Sequence, residues 1–485
     1  VKELCYFASV TTAVVAALVK KGVVEYYENE VLRSPYKQAE ELPAIVSAVL
    51  SGEQQAAYDA LLSRYREGKP ACALLPGSGK TQVYMNLIDQ VLEDGRQVLV
   101  LVPEISLTPQ MMRLFLEKYG RRVAVLHSAL AIGERMDEWK RVKRGEARVV
   151  VGTRSAVFAP CDNLGLIVMD EEQEHTYKSE NAPRYHAHEI AKYRCVQHSA
   201  LLVLGSATPS VESYYHAEHG RYHKFMLTSR FGGTPLPEVI ISDMKHDARS
   251  GRSDIIGDAL YQELAGNLAR GEQSVLFLNR RGTNRIITCV DCGWVPACER
   301  CSVSLTYHAA AGRLMCHHCG HSEKLPPACP ACGGGLNFIG IGTQRVQEEL
   351  QERFPGVEVL RMDTDTVTAT QSHEAMLSRF EREKIPILVG TQMVAKGLDF
   401  ENVTLVGVIA ADLALYVDSF RAGERTFSLL TQVVGRAGRG EKAGRAVIQT
   451  YTPDNEVIRF AAAQDYDSFY EQEIGFRKLM GRPPF

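Results

Sequence analysis

Four Cys-x-x-Cys pairs, Cys289/Cys292, Cys298/Cys301, Cys316/Cys319 and Cys329/Cys332, take up eight of the chain's twelve cysteines. Thiolates two residues apart can reach one tetrahedral ion, so four pairs supply two four-cysteine zinc sites. Gly293, Gly320 and Gly333 each directly follow the second cysteine of a pair, where a tight turn is needed. Spacing leaves nested and sequential pairings equally open. The other four, Cys5, Cys72, Cys161 and Cys195, lie scattered in mostly apolar surroundings and read as buried core thiols. A disulfide framework suits small secreted chains, and pairs confined to one segment of 485 residues do not fit it. A reducing cytoplasm is the expected compartment.

Upstream, Gly77-Ser78-Gly79-Lys80-Thr81 follows the apolar run Ala71–Leu75 and precedes the helical stretch Gln82–Val91. That context predicts a P-loop, with Lys80 neutralising the β and γ phosphates of ATP and Thr81 on Mg²⁺. The loop departs from G-x-x-x-x-G-K-[ST], because Leu74, Leu75 and Pro76 stand where glycine and flexible residues are expected. Either a bulky Leu74 and an N–H-less Pro76 impair the cradle, or the loop is shortened. Leu166-Ile-Val-Met-Asp170-Glu171-Glu172 is an apolar strand ending in carboxylates. Asp170 is expected to hold Mg²⁺ and Glu171 to polarise the attacking water, since α/β ligand sites form at the C-terminal ends of strands. Arg436 and Arg439, after Gln432, could reach the developing γ-phosphate charge, a contribution of about 10³–10⁵ in rate in NTPases.

Elements able to position these groups are legible as two series. Ala71–Leu75, Gln97–Val102, Val123–Leu126, Val149–Gly152, Leu164–Met169 and Leu201–Gly205 read as strands, alternating with helical stretches such as Gln110–Tyr119 and Arg135–Lys143. Ser274–Leu278, Val357–Met362, Ile387–Val389, Val403–Ile409 and Ala446–Gln449 form the second series. Such alternation predicts parallel sheets covered on both faces. The fold class is therefore α/β, with two nucleotide-motor lobes and an inserted zinc module. The Gly/Pro-rich Arg230–Pro237 reads as the linker between lobes. Thr11–Lys20 reads as a helix, with Gly22-Val-Val-Glu-Tyr-Tyr and Glu30-Val-Leu-Arg as strands, the outline of a partial winged-helix module. The expected division is 1–45 for that module, 46–229 for the first lobe, 230–286 and 336–450 for the second, 287–335 for the zinc insert and 451–485 for the start of a further domain.

Composition agrees with a folded, non-membrane protein: 45% apolar, 23% charged. No run reaches the roughly 18 apolar residues of a span, and Asp412 breaks Leu405–Val417. Net charge is −3, so bulk charge announces no nucleic acid. Local clusters are more suggestive: Arg135, Lys140, Arg141, Lys143, Arg144 and Arg148, then Arg280, Arg281 and Arg285. Each also suits an ordinary solvated face.

Taken together, these motifs resemble those of the bacterial primosomal replication-restart helicases, superfamily 2 DNA helicases with two RecA-like lobes. The likeness rests on Glu53-Gln54, Val102-Pro-Glu-Ile-Ser-Leu-Thr-Pro-Gln110, Leu126-His-Ser-Ala-Leu130, Gly133-Glu-Arg-Met-Asp-Glu-Trp139, Gly152-Thr-Arg-Ser155, Gly205-Ser-Ala-Thr-Pro209 and Leu278-Asn-Arg-Arg-Gly282. It continues through Gly390-Thr-Gln-Met-Val-Ala-Lys-Gly-Leu-Asp-Phe400, Phe420–Phe427 and Gln432–Arg439. The resemblance implies that Gln54 reads adenine, that Ser206-Ala-Thr208 couples nucleotide state to strand separation, and that Tyr177-Lys178 to Arg184-Tyr185-His186 links DNA contact to hydrolysis. It implies that Thr391, Gln392, Lys396, Gly397 and Asp399 face DNA and nucleotide. It implies a nested module, Cys289, Cys292, Cys329 and Cys332 on one zinc and Cys298, Cys301, Cys316 and Cys319 on the other. Gln173 stands where the family has His, and His188 where it has Arg. Implied partners are forked and single-stranded DNA, single-stranded DNA-binding protein and other primosome proteins. The family's N-terminal DNA-binding domain and most of its C-terminal domain fall outside this chain. The expected activity is ATP-dependent 3′→5′ translocation in replication restart. The rival reading is a catalytically weak DNA-binding loading platform with an impaired P-loop. A nuclease motor would need a further carboxylate cluster, and a zinc-ribbon RNA-binding protein leaves both lobes unexplained.

Overall fold

The computed structural model describes residues 4–5, 8–26, 49–103, 109–228, 236–249, 255–278, 286–289, 291–301, 304–308, 312–317, 319–339, 342–362, 373–391, 400, 402–417, 419–438 and 442–485. Helix α1, Thr12–Lys20, forms as expected. No wing follows it among the described residues. Gly22–Tyr26, expected as a strand, is turn and coil with Val23 65% exposed, and Glu30-Val-Leu-Arg lies outside the described residues. A strand needs a partner to bury its pleated face, and none is described beside this one.

The first lobe runs α2 (Gly52–Arg66), β1 (Ala71–Pro76), α3 (Lys80–Glu93), β2 (Gln97–Leu101), α4 (Pro109–Tyr119), β3 (Val123–Leu126), α5 (Ile132–Lys143), β4 (Val149–Gly152), β5 (Leu164–Met169), α6 (Ala187–His198), β6 (Leu201–Ser206), α7 (Val211–Glu218) and the short β7 (His223–Lys224). The strands form one parallel sheet in the order β3-β4-β2-β5-β6-β1-β7. Every residue of β2, β3, β4, β5 and β6 is buried, because helices cover both faces. Neighbouring Leu74 and Leu75 point to opposite faces, and both are fully buried in separate clusters.

The second lobe opens with β8 (Glu238–Asp243), α8 (Met244–Arg249), α9 (Asp258–Ala269) and β9 (Gln273–Leu278). The insert follows, as β10 (Ile286–Cys289), β11 (Thr306–His308), β12 (Arg313–Met315), β13 (Ser322–Lys324) and β14 (Leu336–Ile339). The lobe resumes with α10 (Thr343–Arg353), β15 (Val359–Met362), α11 (His373–Arg382), β16 (Ile387–Gly390), β17 (Val403–Ile409), α12 (Asp412–Leu415), α13 (Ala422–Val434) and β18 (Arg445–Thr450). Its parallel sheet has the order β15-β16-β9-β17-β18-β8. β8 was not anticipated from the sequence, because Ser242 and Asp243 dilute its apolar run at the sheet edge.

Two last helices, α14 (Glu456–Ala463) and α15 (Tyr466–Leu479), are capped by Asn455 and Asp465 and turn back over the meeting of the lobes. There Tyr214 of the first lobe packs on Tyr466 and Tyr470 at 5.0 and 4.6 Å between ring centroids. Phe427 stacks on Phe469 at 4.3 Å. One buried cluster thus spans the seam. Phe427→Ala should lower global stability by about 3–5 kcal/mol, as read by urea unfolding. A loss below ~1 kcal/mol would mean that the stack is dispensable.

Candidate functional site: a nucleotide cleft at the seam and two cysteine clusters

Leu74, Leu75 and Pro76 are strand residues. They pair with Leu204, Gly205 and Ser206 of β6, and Leu74 does not face the cradle. The expectation that its bulk competes with phosphate is therefore wrong, and the shortened-loop alternative holds: only Gly77, Ser78 and Gly79 join β1 to α3. Even Gly77 belongs partly to the sheet. Its N–H donates to the Ser206 carbonyl at 3.0 Å, it bridges to Leu227, and a Cβ there would meet the Leu227 oxygen at 2.0 Å. Gly79 takes a left-handed φ of 77° and starts α3, whose first amides lack acceptors within the helix and suit an anion. Lys80 Nζ donates to the Gly77 carbonyl at 3.1 Å and lies 3.7 Å from Glu171 Oε1. Gln54, held by a capping box with Ser51, donates its amide to the Gly79 carbonyl at 3.0 Å and to Gln82 at 2.9 Å. Lys80, Gln54 and the acidic box therefore converge.

At the end of β5 the three carboxylates have three different fates. Asp170 is half-buried as a residue, but its Oδ1 is buried beside the Tyr84 hydroxyl next to Gly205, and neither atom makes a hydrogen bond of good geometry. Burial pushes the Asp170 carboxyl up to about 6, against the lowering pull of Lys80. A buried, unpartnered carboxylate oxygen beside a lysine is the chemistry of a divalent-cation ligand. Glu171 sits at φ 46°, a left-handed conformation that costs a side-chain-bearing residue on the order of 1–3 kcal/mol. In return its Oε2 accepts from Gln173 at 2.7 Å and from Gln432 at 3.0 Å. Glu172 turns inward instead, accepting from the Ser210 N–H at 2.6 Å and the Ser213 hydroxyl at 2.9 Å, which anchors α7. Burial raises its carboxyl to about 7. Neighbouring His188 is pushed down to about 3 by burial and is neutral, its Nε2 3.1 Å from the Glu172 carbonyl.

The second lobe meets this edge through one face of α13. The Val211 N–H donates to Glu424 at 2.9 Å, the Thr208 and Ser428 hydroxyls lie 2.7 Å apart, and Gln432 reaches Glu171. Positions 424, 428 and 432 are successive i, i+4 neighbours on one helix stripe. Within the first lobe Ser206 donates to Gln173 at 2.5 Å, and the Thr208 N–H donates back to Ser206 at 2.9 Å. Gln173 thus links Ser206 to Glu171. Arg436 lies just past the end of α13, one turn beyond Gln432. Arg439, Gly397 and Asp399, with Gln392 and Lys396, lie outside the described residues. The Tyr177 hydroxyl lies 2.7 Å from the Asp170 carbonyl and 2.9 Å from that of Leu101, and Tyr185 lies under the Arg154 guanidinium. Sequence reasoning missed Tyr84, Glu424 and Ser428. For the two on α13 the available signal was the i, i+4, i+8 spacing of Glu424, Ser428 and Gln432.

In the insert, Cys289, Cys292, Cys329 and Cys332 form one cluster, and Cys298, Cys301, Cys316 and Cys319 the other, each with all sulfurs within 4.8 Å. Pairing is therefore nested. Sulfur separations of 3.5–3.7 Å match those of thiolates about 2.3 Å from a shared tetrahedral ion, so both clusters fit Zn²⁺. Gly293, Gly320 and Gly333 have φ of 73–76°, and their N–H groups return to the carbonyls of Cys289, Cys316 and Cys329. The antiparallel β10–β14 pair closes the base. Among the described residues the local buried cluster is Ile287, Cys298, Leu305, Leu314 and Cys316, little apolar area to hold the insert without metal.

Residues 51–216 match the DEAD/DEAH box helicase family, 298–324 the PriA DNA helicase Cys-rich region domain and 339–441 the helicase conserved C-terminal domain. The replication restart protein PriA of Bacillus subtilis is 46% identical, over all of this chain and 60% of its own length. That of Synechocystis is 41% identical over 98% of this chain and 58% of its own. The chain thus spans about three-fifths of these relatives. A solved RecG bound to a three-way DNA junction shares the fold at TM-score 0.50 and 16% identity, covering 88% of this chain and 47% of that one.

Two measurements check the site. Cys316→Ser should lower bound zinc from about two ions per chain to about one, by metal analysis of the purified protein. Asp170→Asn should stabilise the nucleotide-free protein above pH 6 by about 2–3 kcal/mol. The raised folded-state value means that native stability falls as pH climbs from about 4 to about 6. The difference between variant and parent should grow across that window and vanish below it.

Proposed function

We propose that this chain, a homologue of the PriA replication restart proteins along its whole length, is the motor portion of an ATP-dependent DNA translocase with 3′→5′ polarity that acts in replication restart. In this reading residues 46–229 form the nucleotide-binding lobe, 230–286 and 336–450 its partner, 287–335 a zinc module near the duplex junction, and 451–485 the start of a further domain. Carrying the proposal is Glu171, held between Gln173 of one lobe and Gln432 of the other and beside Lys80. A group gripped from both sides reports on lobe closure.

Lys80 and the first amides of α3 would bind the terminal phosphates, with Thr81 and Asp170 holding Mg²⁺ and Gln54 on the base. Bound Mg²⁺ would supply charge neutralisation on the transferring phosphoryl oxygens. Glu171 would orient a water and take its proton. Arg436 and Arg439 would offset the charge that develops on the leaving side. By family likeness Gly397 and Asp399 would serve the same nucleotide. Single-stranded DNA would lie across both lobes, held through its backbone and by stacked aromatics without sequence readout. Forked DNA, single-stranded DNA-binding protein and primosome proteins are the partners this reading carries, in a cytoplasmic setting. Among the described residues no helix is long and apolar enough to cross a membrane.

The three-residue β1–α3 connection favours a second reading, a weakly hydrolysing loading platform. Lys80 already bonded to the Gly77 carbonyl agrees with it. DNA-stimulated ATP hydrolysis separates the two. Under the translocase reading the parent chain turns over, and Lys80→Ala lowers kcat by about 100-fold or more. Under the platform reading neither chain binds ATP, and inserting Gly-Val-Thr between Pro76 and Gly77 restores binding. Substituting those residues at 74–76 should instead unfold the lobe, since Leu74 and Leu75 are core. Equal turnover in parent and Lys80→Ala preparations would sink the assignment.

A further inference from the structure

The first lobe contributes Glu212, on the opening turn of α7, to a charge cluster shared with α13 and α15. At its centre is Arg477, whose side chain is fully buried. Its Nε meets Glu473 at 2.8 Å, Nη1 meets Glu212 at 3.0 Å and Nη2 meets Glu424 at 2.8 Å. Nη1 also lies 3.4 Å from the Pro483 carbonyl. Arg421 adds a second bridge, 2.5 Å to Glu212 and 3.2 Å to Glu424. The Phe420 ring packs under both guanidinium groups, at 4.8 Å from Arg421 and 5.3 Å from Arg477. Two further bonds tie the same helix to the first lobe: Tyr466 donates to the Pro209 carbonyl and Tyr214 to Asp467, each at 2.8 Å.

Geometry relates this cluster to the cleft. Glu424, the acceptor of Arg477, also receives the Val211 N–H, and Val211 follows directly on Ser206–Ser210. The preceding Ser210 N–H binds Glu172, the neighbour of Glu171. Glu424 and Gln432 are eight residues apart on α13, hence about 12 Å along its axis. Arg477 therefore grips one end of the helix whose other end supplies Gln432 to Glu171. Burial raises Glu424, yet the two arginines more than offset it, so the carboxylate is held below its usual range and stays charged.

We infer that Arg477 is a positioning residue for the motor reaction: held by Glu473 on its own helix and joining Glu212 of the first lobe to Glu424 of the second, it fixes α13 in the register that brings Gln432 to Glu171. Among the described residues it touches none that faces the nucleotide, so its effect falls on turnover more than on nucleotide affinity. The inference rests on the proposed ATPase for its kinetic arm and on the lobe contacts alone for its structural arm.

The experiment uses the full chain with zinc bound, carrying fluorophores introduced as unnatural amino acids at the exposed Tyr193 and Arg382, one on each lobe. Arg477→Met should broaden the interlobe distance distribution and lower DNA-stimulated kcat about tenfold or more, with KM for ATP within about twofold. Arg477→Lys should recover part of both, since it keeps the charge but loses the planar fork that serves three carboxylates. An unbroadened distribution in folded Arg477→Met, or KM rising as much as kcat falls, overturns the inference. Should Arg477→Met fail to fold, Glu212→Gln carries the same test, with a smaller broadening expected. A parent chain with no ATPase refutes the proposed function, while the distance measurement still decides the clamp.

Discussion

Two parallel sheets share a reaction only if something sets the distance between their C-terminal edges, and here one stripe of α13 does so. Glu424, Ser428 and Gln432 touch the first lobe at Val211, Thr208 and Glu171 in turn. All three contacts are hydrogen bonds, which lose strength steeply with distance and angle. An apolar seam would let the lobes slide at little cost, because hydrophobic contact has no preferred direction. The polar stripe gives the seam a register, and the left-handed backbone at Glu171 is tolerated because bonds from both lobes hold its carboxylate in place.

The phosphate side answers to a second constraint, the number of residues between β1 and α3. Leu74 and Leu75 cannot serve as loop, because the sheet needs them on its two faces. Pro76 closes the strand by accepting from the Leu227 N–H, and Gly77 is already hydrogen-bonded to β6. What remains is the start of a helix, which suits an anion, with Lys80 folded back on the loop.

Much of this was readable in the residues. Continuous Val/Ile/Leu runs located the strands of both sheets except the edge strands β7 and β8, since a parallel strand buried on both faces must be apolar throughout. Cysteine spacing announced two metal sites but not their nesting, which depends on β10 pairing with β14 far along the chain. The P-loop irregularity was visible, but its meaning was not. Whether Leu74 replaces a loop glycine or belongs to the strand is a question of register, settled only by pairing with β6. The short run after α1 looked like a strand on propensity, and no neighbouring strand is described to bear that out. For Arg477 the sequence offered only the i, i+4 pairing with Glu473, because its other two acidic partners, Glu212 and Glu424, come from distant helices.

The buried guanidinium also bears on the order of assembly during synthesis. Glu212 emerges early and Glu424 roughly 200 residues later, and the two carboxylates meet at the seam. Until α15 leaves the ribosome, Arg421 is the one guanidinium of the cluster that can neutralise both. Each sheet can form as its own strands appear. Docking before the last helix would rest on the α13 stripe and Arg421 alone, so the seam is complete only once translation has passed Arg477.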